Sequence, residues 1–327
     1  MKRRELILGG AASAWSFATH AQQTERVRRI GVILPATSSD TEYQTWLGAF
    51  LQTLAQFDWT IGRNIKVDIR WATPVVAEIR RHAAELAALA PDVILTGGTS
   101  TAGPMLEATR SVPIVFATIV DPVGAGFIDS LAKPGGNATG FLLYDYNLSG
   151  KWLDLLKQAA PSIRRVAVLR DAATPSGTGQ FAAIQAVAPS LNLEIVPINI
   201  RDAAELERAI DAFARSPSGG LVLTGSNLAI LHRDLVIALA ARHKLPTIYY
   251  ERFYVISGGL ISYGADRIRL YRLAAGYVDR VLRGEKPGDL PVQAPTKFEL
   301  AINLKTAKAL GLTVPPTLLA QATEVIE

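Results

Sequence analysis

Asp92-Val93-Ile94-Leu95-Thr96-Gly97-Gly98-Thr99-Ser100-Thr101 holds the pattern that decides how the rest of the chain is read. A short apolar run stops at two glycines, and a helix is expected to open near Ser100. An apolar run of that length, bounded by turn residues, suits a parallel strand buried on both faces. The same unit recurs to either side. Arg29-Ile30-Gly31-Val32-Ile33-Leu34 ends at Pro35, Ile65 to Ile69 alternates as a strand, and Pro113-Ile114-Val115-Phe116 is a further short strand. Between them, Tyr43 to Phe57 carries Trp46, Leu47, Phe50, Leu51 and Leu54 at helical spacing. Val75 to Leu89 does likewise with Val76, Ile79, Ala83, Leu86 and Ala87.

The second half repeats the alternation. Arg165 to Leu169, Leu193 to Pro197, Gly220 to Leu223, Pro246 to Tyr250 and Gly259 to Tyr263 read as strands. Helices are expected from about Gly179 to Ala188, from Leu231 to His243 and from Asp266 to Arg283, and Asp202 with Glu205 marks the start of another. Strand–helix alternation of this kind predicts an α/β fold with helices on both faces of parallel sheets. The length favours two doubly wound parallel-sheet lobes joined by a hinge over one large sheet. The expected divisions are an N-terminal lobe over 28–141, with part of 264–300 returning to it, and a C-terminal lobe over 142–263. The final segment, 301–327, is left without a lobe. The turn-rich stretch Lys133-Pro134-Gly135-Gly136-Asn137-Ala138-Thr139-Gly140 is expected to carry the link.

With 49% hydrophobic and 19% charged residues among 327, the composition is that of a globular chain. No cysteine is present, which removes disulfides, thiolate metal sites and a cysteine nucleophile. Lys2, Arg3 and Arg4 precede a short apolar run from Leu6 to Phe17, and Thr19-His20-Ala21 offers a cleavage site before Gln22. Residues 1–21 therefore read as a signal peptide that sends the mature protein to the periplasm. Arg3-Arg4-Glu5-Leu6-Ile7 resembles a twin-arginine signal with Leu in place of the usual Phe, so the Sec and twin-arginine routes both stay open. The apolar run is too short for a stable membrane anchor, and no later stretch is long enough to span a bilayer. Cleavage takes the formal net charge from +5 to +3. The remaining basic residues, including Arg26, Arg28, Arg29 and those between Arg267 and Arg283, read as solvated faces with no nucleic-acid partner.

In doubly wound sheets ligands bind beyond the carboxyl ends of the strands. That rule selects the loops at Pro35–Ser39, Thr96–Thr101, Thr118–Pro122, Asp171–Ser176 and Thr224–Asn227, together with Glu251. Thr99, Ser100 and Thr101 offer hydroxyls and amides for an anionic group, or plain helix capping. Asp121 offers a counter-charge for an ammonium or a cap for its own turn. Asp171, Ser226, Asn227, Glu251 and Tyr43 complete the candidate ligand-binding set. His82, His232 and His243 lack metal spacing, no Gly-x-Ser-x-Gly elbow or P-loop is present, and Gly124-Ala125-Gly126 lacks the rest of a dinucleotide fingerprint. The residues point away from an enzyme and call for no cofactor or metal.

Three longer motifs carry a resemblance. They are Asp121-Pro122-Val123-Gly124 followed by Leu131 to Gly140, Gly258-Gly259-Leu260-Ile261-Ser262-Tyr263-Gly264, and Pro295 to Leu312. Together they resemble the ABC-transporter substrate-binding family that includes tryptophan- and tyrosine-binding proteins. The resemblance spans essentially the whole mature chain. It implies a type I periplasmic-binding-protein fold, a small-molecule ligand (an amino acid or small organic or aromatic acid) held between the lobes, and hinge closure. It also implies an ABC permease and its ATPase as partners; the mature protein is expected to be a monomer. A ligand sensor coupled to a signalling receptor is the alternative. The family's aromatic amino-acid binders carry an Asp-Asn pair after the strand corresponding to Gly220–Leu223, where this chain reads Ser226-Asn227.

Overall fold

The computed structural model describes residues 26–73 and 75–327, so the expected signal peptide lies outside the described residues. Twelve strands are present among the described residues. Arg28–Leu34 (β1), Ile65–Trp71 (β2), Val93–Thr96 (β3), Ile114–Ile119 (β4) and Ala138–Leu142 (β5) form one sheet in the order β2-β1-β3-β4-β5. Every pairing in it is parallel. The period-2 alternation of a strand sends neighbouring residues to opposite faces, and here both faces are buried. Ile30, Val32, Leu34, Val93, Leu95 and Val115 face one core, while Ile33, Ile94, Ile114 and Phe116 face the other. The helices Val76–Ala88 and Thr99–Ala108 cover the second face; Thr41–Gln56 and Arg267–Leu282 cover the first.

Arg165–Arg170 (β6), Glu194–Asn199 (β7), Gly219–Leu223 (β8), Thr247–Tyr249 (β9), Ile261–Ala265 (β10), Phe298–Asn303 (β11) and Glu324–Ile326 (β12) form the second sheet. Its order is β12-β11-β10-β9-β8-β6-β7. This sheet departs from the all-parallel expectation, because β11 runs antiparallel to β10. The reason is topological: β11 returns from the other lobe and enters the sheet from the opposite end. The segment after residue 300 stays with this sheet through β12, which pairs with β11.

The chain passes between the sheets three times. It leaves the first after β5 through Leu143-Tyr144-Asp145-Tyr146 to a helix at Asn147–Ala159. It returns after β10 into Arg267–Leu282, which packs on the first sheet. Gln293 then bonds to the end of β5 (its amide to the Gly140 carbonyl at 3.0 Å) before the chain reaches β11. Lys133–Gly140 is therefore not the link. It is a turn that leads into β5, the edge strand of the first sheet, where Gly135 and Gly136 adopt positive φ. No helix among the described residues is long and apolar enough to cross a membrane.

Candidate functional site

The carboxyl ends of both sheets face one another across a cleft, and its rims are fixed by local chemistry. On the first lobe, Asp40 caps the Thr41–Gln56 helix, its Oδ1 accepting from the amides of Glu42 (3.1 Å) and Tyr43 (3.2 Å). The cap brings Tyr43 to the first turn, fully buried, where desolvation pushes its phenol up to about 12 and keeps it a hydrogen-bond donor. Gly98 precedes the Thr99–Ala108 helix, so Thr99 and Ser100 stand half-buried at its start. Thr101 is fully buried and turns its hydroxyl back to the Gly98 carbonyl at 3.0 Å.

On the second lobe the loop after β8 is held from beneath. The Gly225 amide donates to the Gln180 Oε1 (2.9 Å) and the Tyr144 hydroxyl (3.1 Å), and Tyr144 donates to Gln180 at 2.8 Å. Gln180 Nε2 returns a bond to the Gly225 carbonyl. A Cβ at Gly225 would lie 2.1 Å from the Tyr144 hydroxyl, so only glycine admits this approach. Ser226 caps the short helix Asn227–Leu231 by accepting from the Ala229 amide at 3.0 Å, and its carbonyl accepts from Tyr250 at 3.3 Å.

Asn227, placed by that loop, reaches the opposite lobe. Its Nδ2 donates to the Ser100 hydroxyl and its Oδ1 accepts from Tyr43 at 3.3 Å. Arg233, at the start of the Arg233–Arg242 helix, adds a second bridge to Asp40 Oδ2 at 2.9 Å. Nearer the crossings, Arg267 is buried against Glu251, with its guanidinium 4.7 Å from the Trp46 ring and 6.0 Å from that of Tyr250. Burial pushes the Glu251 carboxyl up to about 7, and the Arg267 charge pulls against that. The expectation that Arg267 belongs to a solvated face is thereby corrected: it opens a helix at a crossing between lobes, where both sides cover it.

The nine candidates therefore separate. Tyr43, Ser100 and Asn227 meet across the cleft, with Thr99 beside them in sequence on the same helix start. Thr101 and Ser226 bond within their own lobes, and Glu251 is taken by Arg267. Asp171 is buried, accepts from the Ala173 amide at 3.0 Å, and has its carboxyl pushed up by desolvation. Asp121 lies beside the first crossing, accepting from the Gly124 amide (2.7 Å) and the Tyr146 hydroxyl (3.1 Å). Sequence reasoning missed Asp40, Tyr146, Gln180, Arg233 and Arg267 as contributors; of these, Asp40 alone carried a local signal, as a capping residue before an amphipathic helix. His82 lies beside Glu85 (3.2 Å) and His243 beside Asp211 (2.6 Å). Among the described residues no group of three or more such side chains is arranged to hold a metal.

The family model described as ABC transporter substrate binding protein matches residues 29–326. A curated tyrosine-binding protein from Clostridioides difficile is 30% identical over 263 residues, covering 80% of this chain and 75% of that one. A conserved domain protein from Vibrio cholerae, solved by crystallography, superposes with a TM-score of 0.85 at 25% identity, covering 92% of this chain and 100% of that one. An ABC domain from Streptococcus pneumonia, solved in complex with L-Trp, gives a TM-score of 0.85 at 23% identity over 91% of this chain and 99% of its own. The architecture is the two-lobe type I periplasmic-binding-protein arrangement.

Proposed function

This chain belongs to the ABC transporter substrate binding protein family, and on that premise we propose that it is the periplasmic receptor of an ABC importer. In this reading residues 1–21 direct export, the lobes close around a small solute, and a permease with its ATPase accepts the closed form. The chain itself carries out no chemistry. The observation that carries the reading is Asn227, whose amide joins Ser100 and Tyr43 of the other lobe at the carboxyl ends of both sheets. A ligand lodged beside these groups touches both lobes at once. It favours closure by the difference between its affinities for the closed and open forms. Backbone amides at the Thr99–Ala108 helix start and the free proton of the Ser226 hydroxyl supply donors for it.

Thermal-shift and calorimetric screening with amino acids and small organic acids tests the reading. A solute present at about 100 times its Kd stabilises the folded receptor by roughly 2.7 kcal/mol. A broad panel that yields neither a shift nor heat of binding would remove the receptor function.

A further inference from the structure

Beside the first crossing lies a half-open pocket of about 270 Å³, lined by the first lobe and by Tyr144, Asp145 and Tyr146 of the crossing, that the contacts at the mouth do not use. Val123, Leu131 and Leu142 give it an aliphatic wall, and Tyr144 and Tyr146 an aromatic one. The charged residues lining it are Asp121 and Asp145, and no Lys, Arg or His lines it. Asp145 is exposed and caps the Asn147 amide at 2.8 Å. Asp121 is set more firmly. It has left-handed backbone, with φ at 49°, a conformation that costs a non-glycine residue free energy and is often retained at ligand sites.

Both of its donors, the Gly124 amide and the Tyr146 hydroxyl, are uncharged, so they orient the carboxylate without neutralising it. Burial and the Asp121 charge push the Tyr146 phenol up to about 12, which keeps it protonated as that donor. The close seat of the Asp121 side chain over Gly124, where a Cβ would meet Oδ2 at 2.1 Å, fixes the direction in which the carboxylate faces. A half-open apolar pocket with aromatic walls and carboxylates at its edge is suited to a cation carried on an apolar body. A bare carboxylic acid would meet Asp121 and Asp145 with like charge.

We propose that this cavity takes the apolar body of a ligand bearing an ammonium group, with Asp121 as the counter-charge. The inference rests on the receptor reading above and narrows it to amines and amine-bearing solutes, with Tyr144, whose hydroxyl accepts from the Gly225 amide, tying the pocket to the second lobe. Calorimetry with matched pairs tests it: phenethylamine against phenylacetate, and butylamine against butyrate. Asp121→Asn is the decisive variant, because Asn tolerates left-handed backbone and retains an oxygen for the Gly124 amide while losing the charge. Val123→Trp fills the chamber. The amines are expected to bind and the acids not. D121N should weaken amine binding by about thirtyfold or more at unchanged Tm, and V123W should also weaken it.

An acid that binds as tightly as its matched amine, absence of binding by both amines, or equal amine affinity of D121N and the parent protein would overturn the proposal. A solute from the broader panel that binds the parent, D121N and V123W equally would remove this proposal and leave the receptor standing. No binding by any solute removes both.

Discussion

The lobes touch at the mouth of the cleft and again beside the crossings, and the two regions are built from different chemistry. At the mouth, Asn227, Ser100, Tyr43 and the Asp40–Arg233 pair join across the gap, and Arg233 keeps 26% of its side chain exposed. Arg233 and Asp40 are part-exposed, and water can replace the Asn227 bonds once the lobes part, so the net value of these contacts is small. Beside the crossings, Arg267 and Glu251 are 7% and 6% exposed at their side chains and lie among Trp46 and Tyr250. Separating those charges would leave each one desolvated and unpaired. The difference leaves one contact between the lobes that water can reach and one that is sealed, as the proposed closure about the crossings would require.

The largest effect is expected at Arg267. Arg267→Ala leaves the Glu251 carboxyl buried without its partner and is expected to cost about 3–5 kcal/mol, read from urea denaturation. A loss below about 1 kcal/mol would place this pair in the same class as the exposed ones. Asn227→Ala comes next. It removes both side-chain bonds across the mouth, and it should lower stability by about 1 kcal/mol while shifting the solution ensemble toward an open form. Small-angle scattering that shows no increase in radius of gyration would show that these bonds do not set lobe closure. Arg233→Ala has the smallest effect, about 0.2–1 kcal/mol, and the difference from the parent should shrink as salt is raised. A salt-insensitive loss would mean that the pair behaves as a buried one.

The strand–helix alternation was legible because it is a local property. Val93–Leu95 and Arg165–Leu169 are apolar runs whose neighbours end them, and no distant residue is needed to recognise either. The link between lobes was hidden by the same logic. Lys133–Gly140 carries the strongest turn chemistry in its region, yet it only feeds an edge strand. The true crossing, Leu143-Tyr144-Asp145-Tyr146, has no glycine or proline to mark it. At the site, the strand-end rule selects Ser100 and Asn227, Tyr43 enters as an aromatic near those strand ends, and Thr101 is not separable from Ser100 until the hydroxyl directions are known. Gln180 gives no signal at all: it sits within a helix, and its importance comes from the Gly225 loop, 45 residues later in the chain. Arg267 looked like the other helical arginines because nothing in its neighbourhood shows that Glu251 lies across the intervening strand.

The return of Arg267–Leu282 to the first sheet also sets the order in which the molecule is completed. Once β5 has been synthesised, all five strands of that sheet exist, but one of the helices that covers Val32, Leu34 and Val115 is encoded more than a hundred residues downstream. The first lobe cannot finish as an independent N-terminal unit. It waits, with part of an apolar face uncovered, for the second lobe's strands through β10 to be made. Both lobes therefore mature together near the end of synthesis or after it, and the late helix is a contact of long sequence separation, the kind that slows folding.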